Sequence, residues 1–360
     1  MNLELEDFSY VNEIDKELVE QFIASKNVKK YILGINKLTK SVLKHVEVDG
    51  IIDDFTRVQR SRKKEILQIE EVEKDAIILW TSTGSPLEVK KRLDLEGFKN
   101  ISYLAFYRYC PFELVDPPFI VDFKEDFRAN SSEYFETYKL LADEKSKEIF
   151  KKVLNFKMTF DYSFMEGFTN SFEEQYFDFE IIPRLKNISF FDGGGYVGDT
   201  AMQVIKHFAD FKKIYLVEPI EANIKIAKRE LAEFKNIEFL ECGLSNKKAT
   251  LSFNEEKSFS TIYGSGSQSI KVDTIDNILN TQSIDFIKLD IEGAEQDAIE
   301  GAKKCIEKDT PILAICIYHK AEDWYKIPQK VLSINSNYKI YIRHYMEGIF
   351  ETVMYFIPNK

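Results

Sequence analysis

Long apolar runs are missing from this chain. None reaches the roughly 18–20 residues that a bilayer-spanning helix needs, so no membrane span is expected. Cysteine is scarce: Cys110, Cys242, Cys305 and Cys316 lie far apart without C-x-x-C spacing, which supports neither a disulfide framework nor a cysteine zinc site. Positive charge is short as well. There are 49 Lys and Arg against 60 Asp and Glu, a net charge of -11, and such a surface repels phosphate backbones, so no nucleic-acid partner is expected. A small anionic ligand is a different matter, because backbone N–H groups bind phosphate without basic side chains. The opening stretch MNLELEDFSYVNEIDKEL is acidic and has no apolar leader, and together these absences lead us to expect a cytoplasmic protein.

What is present is core-forming material. Hydrophobic residues make up 44% and aromatic residues 14%, with 29 Phe and 18 Tyr, enough to argue against long disorder. At 360 residues the chain exceeds one average hydrophobic core, so more than one domain is expected. No internal repeat or low-complexity tract is visible.

Pattern divides the chain into three regions. Residues 1–118, ending at Pro117-Pro118, alternate short apolar strands (Lys30–Leu33, Val48–Ile52, Ala76–Trp80) with helical spacing (Lys37–His45, Pro86–Glu96), which predicts a small Rossmann-like α/β domain. Residues 119–184 are charged, aromatic and poor in glycine, and predict a helical connector. Residues 185–360 begin a second α/β series. Strands are expected at Ile188–Phe191, Lys213–Val217, Ile237–Leu240, Asp285–Leu289 and Pro311–Ile317, with a closing pair at Tyr338–Arg343 and Thr352–Ile357 around Met346-Glu347-Gly348. Helices are expected at Asp199–Phe208, Asn223–Glu233, Ala294–Ile306 and Trp324–Ser333. The count fits the seven-stranded, doubly wound sheet of class I methyltransferases, whose last strand is antiparallel.

Three segments carry chemistry. The first is FFDGGGYVGDT, from Phe190 to Thr200, where a buried strand runs into glycines and then opens a helix. Glycines permit a sharp turn and close approach to a ligand, and a helix start offers free N–H groups. Asp192, Gly193, Gly194, Gly195, Gly198, Asp199 and Thr200 are therefore candidate cofactor residues, although a plain turn capped by Asp199 or Thr200 has the same outline. The second segment is YLVEP, in which Glu218 ends the next strand before Pro219, placed to accept hydrogen bonds from ribose hydroxyls. The pair of segments indicates an adenine nucleoside, and the Asp-then-glycine pattern is the methyltransferase style. The third is FIKLDIEGAE, which delivers Asp290 and Glu292 to the carboxyl end of a strand, where such sheets bind ligands. Two carboxylates there can orient a hydroxyl, take its proton or hold a divalent ion, or one of them can simply cap the following helix.

The stretch from about Gln175 to the end resembles the FkbM-type methyltransferases, through FFDGGGYVGDT, YLVEP, FIKLDIEGAEQDAIEGA, LAICIYH and YIRHY followed by ETVMYFIP. The resemblance implies a class I fold, S-adenosylmethionine as donor, and transfer to oxygen, commonly of a sugar or polyketide hydroxyl. Asp192, Gly193, Gly195, Gly198 and Glu218 fall on the family's cofactor positions. Asp290, Glu292 and His319 fall on its conspicuous polar positions, and Gln175-Tyr176-Phe177 on a segment before the glycine strand.

Asp290, Glu292 and His319 are thus the expected catalytic set, with His319 as the base on account of histidine's near-neutral pKa, or else all three as a magnesium site. His344 is a weaker candidate at the same mouth. The N-terminal region echoes a nucleotide-binding turn at Gly34-Ile35-Asn36-Lys37-Leu38-Thr39, but Asn36 and Thr39 stand where glycines belong, which argues against tight dinucleotide binding and hydride chemistry. The basic run from Arg57 to Lys64 reads as a solvated loop. The expected activity is O-methylation of a glycan or small-molecule hydroxyl. The competing readings are a nucleotide-binding protein that keeps the fold without the reaction and, third, a reductase using the first domain.

Overall fold

A computed structural model describes residues 3, 5, 6, 9–54, 60, 61, 64–252 and 269–359, with residues 60, 61, 64, 65 and 252 described by their backbone alone. Arg57, Arg62 and Lys63 of the basic run, and most of the Ser- and Gly-rich stretch after Ser245, lie outside the described residues. Among the described residues no helix is long and apolar enough to cross a membrane.

The chain forms two compact units that are not sequential. One comprises residues 1–128, 151–170 and 346–350; the other comprises 129–150, 171–345 and 351–360. The region read as a helical connector does supply two helices, Phe123–Leu140 and Glu144–Thr159, but it is shared between the units.

In the first unit six strands lie in the order β3-β4-β2-β1-β5-β6. They are β1 (Lys30–Leu33), β2 (Gly50–Ile52), β3 (Arg60–Ser61), β4 (Lys64–Leu67), β5 (Ile77–Trp80) and β6 (Lys99–Ser102). All pairings are parallel except the β3–β4 hairpin. The apolar run Ile77-Ile78-Leu79-Trp80 is buried throughout, as expected of a central strand covered on both faces. The turn after β1 is self-sufficient. Gly34 adopts φ +106°, and Asn36 Oδ1 accepts from the backbone N–H groups of Leu38 (2.8 Å) and Thr39 (3.1 Å). Thr39 Oγ1 donates to Gly34 O at 2.7 Å. The amides that would meet a phosphate are thus taken by the protein's own side chain. Titration of the whole chain with NADH is therefore expected to leave the nicotinamide fluorescence unchanged, and a saturable enhancement would overturn that expectation.

The second unit holds a seven-stranded sheet of order β15-β16-β14-β13-β7-β8-β9. Its strands are β7 (Ser189–Gly193), β8 (Lys213–Val217), β9 (Ile237–Leu240), β13 (Phe286–Leu289), β14 (Ile312–Cys316), β15 (Tyr338–His344) and β16 (Thr352–Pro358). The pairings from β9 through β14 are parallel, and β16 runs antiparallel to both its neighbours. A small sheet joins β10 (Gly243–Leu244), β11 (Ala249–Ser252) and β12 (Ser269–Asp273) in the order β10-β12-β11. The helix expected at Ala294–Ile306 is two helices, Glu295–Glu300 and Lys303–Asp309, separated at Gly301-Ala302. A Cβ on Gly301 would lie 2.3 Å from the carbonyl oxygen of Ser245, so this close approach is what the glycine provides.

Candidate active site

The strand order puts the carboxyl ends of β8, β7, β13 and β14 in a row, and the predicted chemistry sits along it. A cavity of about 560 Å³ opens there, within the second unit. Of the sequence candidates, Gln175, Tyr176, Gly194, Asp199, Thr200, Glu218, Pro219, Asp290 and Glu292 line it. Asp192, Gly193, Gly195, Gly198 and His319 do not appear in its wall.

Glu218 follows β8 and is buried. Its Oε2 accepts from Tyr196 N (3.1 Å), and its Oε1 from Ile220 N (3.1 Å) and Asn223 Nδ2 (3.1 Å). A carboxylate offers roughly four acceptor positions. Some capacity therefore remains, and Asn223 also lines the cavity.

The glycines let the turn pack closely against its neighbours. Gly194 has φ +77°, and a Cβ there would fall 1.9 Å from the backbone oxygen of Asp290. Gly198 has φ +90° and would meet Leu231 Cδ1 at 2.8 Å. The turn thus packs against neighbouring elements so tightly that only glycine fits.

Asp192 is fully buried, and its Oδ1 lies 3.1 Å from Lys288 Nζ. Lys288 Nζ also donates to Gly194 O at 2.7 Å, bracing the glycine turn. Burial opposes the charge on Lys288, but the carboxylates of Asp192 and Asp290 hold its ammonium well above the ordinary lysine value. Asp192 is accordingly placed to anchor this lysine.

Asp290, after β13, has both oxygens engaged. Tyr176 OH donates to Oδ2 (3.0 Å) and Tyr318 OH to Oδ1 (3.0 Å). Burial would raise its pKa, yet Lys288 and His319 bring it below the usual carboxylate range.

His319 departs from expectation. Its side chain is 1% exposed; Nδ1 lies 3.0 Å from Glu295 Oε1, and Nε2 lies 3.4 Å from Glu292 Oε2 and 3.5 Å from Asp290 Oδ1. Burial disfavours the charge, but Glu295, Glu292 and Asp290 raise the imidazole well above its ordinary pKa. An imidazole so raised favours its protonated form, which suits a counter-ion to these carboxylates better than the near-neutral base expected from the sequence. His344, the weaker candidate, is paired by Nδ1 with Thr352 Oγ1 at 2.8 Å across the β15–β16 ladder and is absent from the cavity wall.

Several site residues were not singled out from the sequence: Lys288, Glu295, Tyr318 and Glu351. Lysine inside the apolar run FIKL was a legible signal, since a charge in a buried strand demands a partner. Glu351, in the cavity wall and hydrogen-bonded through Oε2 to Gln175 Nε2, gave no such sign.

Residues 192–339 match the Methyltransferase FkbM domain. The structure of an FkbM methyltransferase from Methylobacillus flagellatus KT is 21% identical, with a TM-score of 0.76 over 96% of this chain and 94% of that chain. It establishes a shared mixed α/β fold with a Rossmann-like parallel core. A precorrin-6y C5,15-methyltransferase from Geobacter metallireducens GS-15 is a distant likeness, at 10% identity and TM-score 0.32 over 48% of this chain and 80% of that one. No curated protein matches the sequence.

Proposed function

We propose that the chain, whose residues 192–339 match the Methyltransferase FkbM domain, transfers a methyl group from S-adenosylmethionine to a hydroxyl of a sugar, in a glycan or related metabolite. The observation that carries this reading is one cavity with Glu218 at the end of β8 and the Asp290, Tyr176 and Tyr318 cluster beyond β13 and β14. The strand order, with β16 antiparallel, supports the class I architecture for this domain.

The residues fit the donor. Glu218 would hold the ribose, and Gly194, Asp199 and Thr200 line the turn beside it. When bound, the donor supplies an electrophilic methyl on a positively charged sulfur. Among the described residues, the carboxylates of Asp199, Glu218, Asp290, Glu292 and Glu351 line the wall against a single cationic side chain, Lys288. Such a wall favours a cationic donor and an uncharged, hydroxyl-bearing acceptor over a phosphorylated one. Gln175 and the tyrosine hydroxyls provide the hydrogen-bonding groups that polyols use.

Calorimetry with S-adenosylhomocysteine tests the cofactor assignment. Glu218→Ala is expected to weaken binding by about 1.5–3 kcal/mol, the worth of a hydrogen bond to a charged group. Unchanged affinity would remove the ribose assignment, and Glu218→Gln checks that the turn itself survives.

A further inference from the structure

We infer that Glu351 is the group that takes the proton from the acceptor hydroxyl. This assignment rests on the cofactor reading above and replaces His319 in that role.

The carboxylates of the cavity wall are not equivalent. Glu218 is committed to two backbone N–H groups and Asn223, and with Asp199 it stands toward the β7–β8 side of the sheet. Asp290 has a tyrosine hydroxyl on each oxygen. Glu292 Oε2 lies against the His319 imidazole at 3.4 Å. Glu351 differs: Oε2 accepts from Gln175, and Oε1 accepts no hydrogen bond among the described residues. It precedes β16, on the far side of β13 and β14 from Glu218, where an acceptor would enter.

Backbone geometry singles out the same residue. Glu351 has φ +63°, a left-handed conformation that non-glycine residues seldom adopt. Tyr176 (φ +67°), Glu292 (φ +59°) and Tyr196 (φ +42°) share that feature, and all four line this cavity. Strain gathered at one wall marks a place where side-chain position outweighs backbone comfort.

The groups facing Glu351 come from three elements: Asp290 and Lys288 from β13 and its end, Cys316, Tyr318 and His319 from β14 and its end, and Gln175 and Tyr176 from the segment before β7. Burial first and Asp290 second push the Glu351 carboxyl up to about 7, with Gln175, His319 and Lys288 pulling the other way. A base poised there is half ionised at neutral pH and strong enough to assist an alcohol. The step balances. An O–C bond forms at the acceptor, an S–C bond breaks in the donor with its electron pair staying on sulfur, and the hydroxyl proton passes to the Glu351 carboxylate and on to solvent.

The test does not depend on knowing the acceptor. Whole protein is titrated near pH 7 with S-adenosylmethionine and with S-adenosylhomocysteine in buffers of different ionisation enthalpy. A cationic ligand beside Glu351 ionises it, so binding of S-adenosylmethionine should release a fraction of a proton that neutral-sulfur S-adenosylhomocysteine does not. Glu351→Gln should abolish the difference while both ligands still bind, and should lower tritium transfer to a panel of neutral sugars at least about 100-fold. Equal proton release with the two ligands in the unaltered protein, the same release in Glu351→Gln, or an unchanged transfer rate overturns the assignment alone. Absence of binding by either ligand overturns the cofactor reading, and this assignment with it.

Discussion

Asp290→Asn is expected to lower methyl transfer by about 10²–10⁴-fold, the usual weight of a positioned acid or base, while S-adenosylhomocysteine still binds. The replacement is nearly isosteric, so the effect comes from charge and hydrogen-bond direction. Asp290 accepts from Tyr176 OH and Tyr318 OH, one on each oxygen. An asparagine offers one acceptor atom and one donor atom, so one tyrosine must turn its hydroxyl or lose its partner. The lost charge also relaxes Lys288 and His319, both of which lean on it. Because Glu218 follows β8 and Asp290 follows β13, with β7 between them, nucleoside binding should survive. Single-turnover transfer of a labelled methyl, run beside calorimetry, separates the two effects. Wild-type turnover in Asp290→Asn would reduce the cluster to a structural role.

The alternation of strand and helix was legible because each element advertises its own period or its own breaker. Ser189–Gly193 and Lys213–Val217 lie within two residues of their expected bounds, since a buried parallel strand is a short apolar run ended by glycine or a charge. The glycine turn and Glu218 were legible for the same local reason. What escaped depends on approach between distant parts of the chain. Nothing in the run Ala294–Ile306 reveals that the Ser245 carbonyl approaches Gly301 closely, where the two helices part. Nor does LAICIYH reveal that its histidine meets Glu292 and Glu295, although the three acids of DIEGAE were in view. A histidine's pKa is set by its partners, and those are a tertiary fact. Glu351 was hidden more completely: it reaches the cavity because β16, which it precedes, returns antiparallel between β15 and β14.

Removal of the His319 side chain is expected to destabilise the second unit by about 3–5 kcal/mol, the cost of leaving buried charge uncompensated. Glu295 is fully buried, and its Oε1 meets the His319 Nδ1 at 3.0 Å and the Ile291 N–H at 2.9 Å. In His319→Ala the Ile291 amide is what remains on that oxygen among the described residues, and Asp290 and Glu292 lose the same neighbour, although Asp290 keeps its two tyrosine hydroxyls. The pH dependence has a definite sign. The folded pKa of His319 lies well above its unfolded value, so its contribution is fully present below about pH 6.5 and is lost as pH rises through the folded pKa. Urea denaturation at a series of pH values should therefore show unaltered protein losing stability on the alkaline side of pH 6.5, with a slope that His319→Ala lacks. A neutral base would behave otherwise: held unprotonated by burial, it would add stability as pH rises. Parallel pH profiles for the two proteins, or a loss under about 1 kcal/mol, would mean that the imidazole is not the counter-ion of these carboxylates.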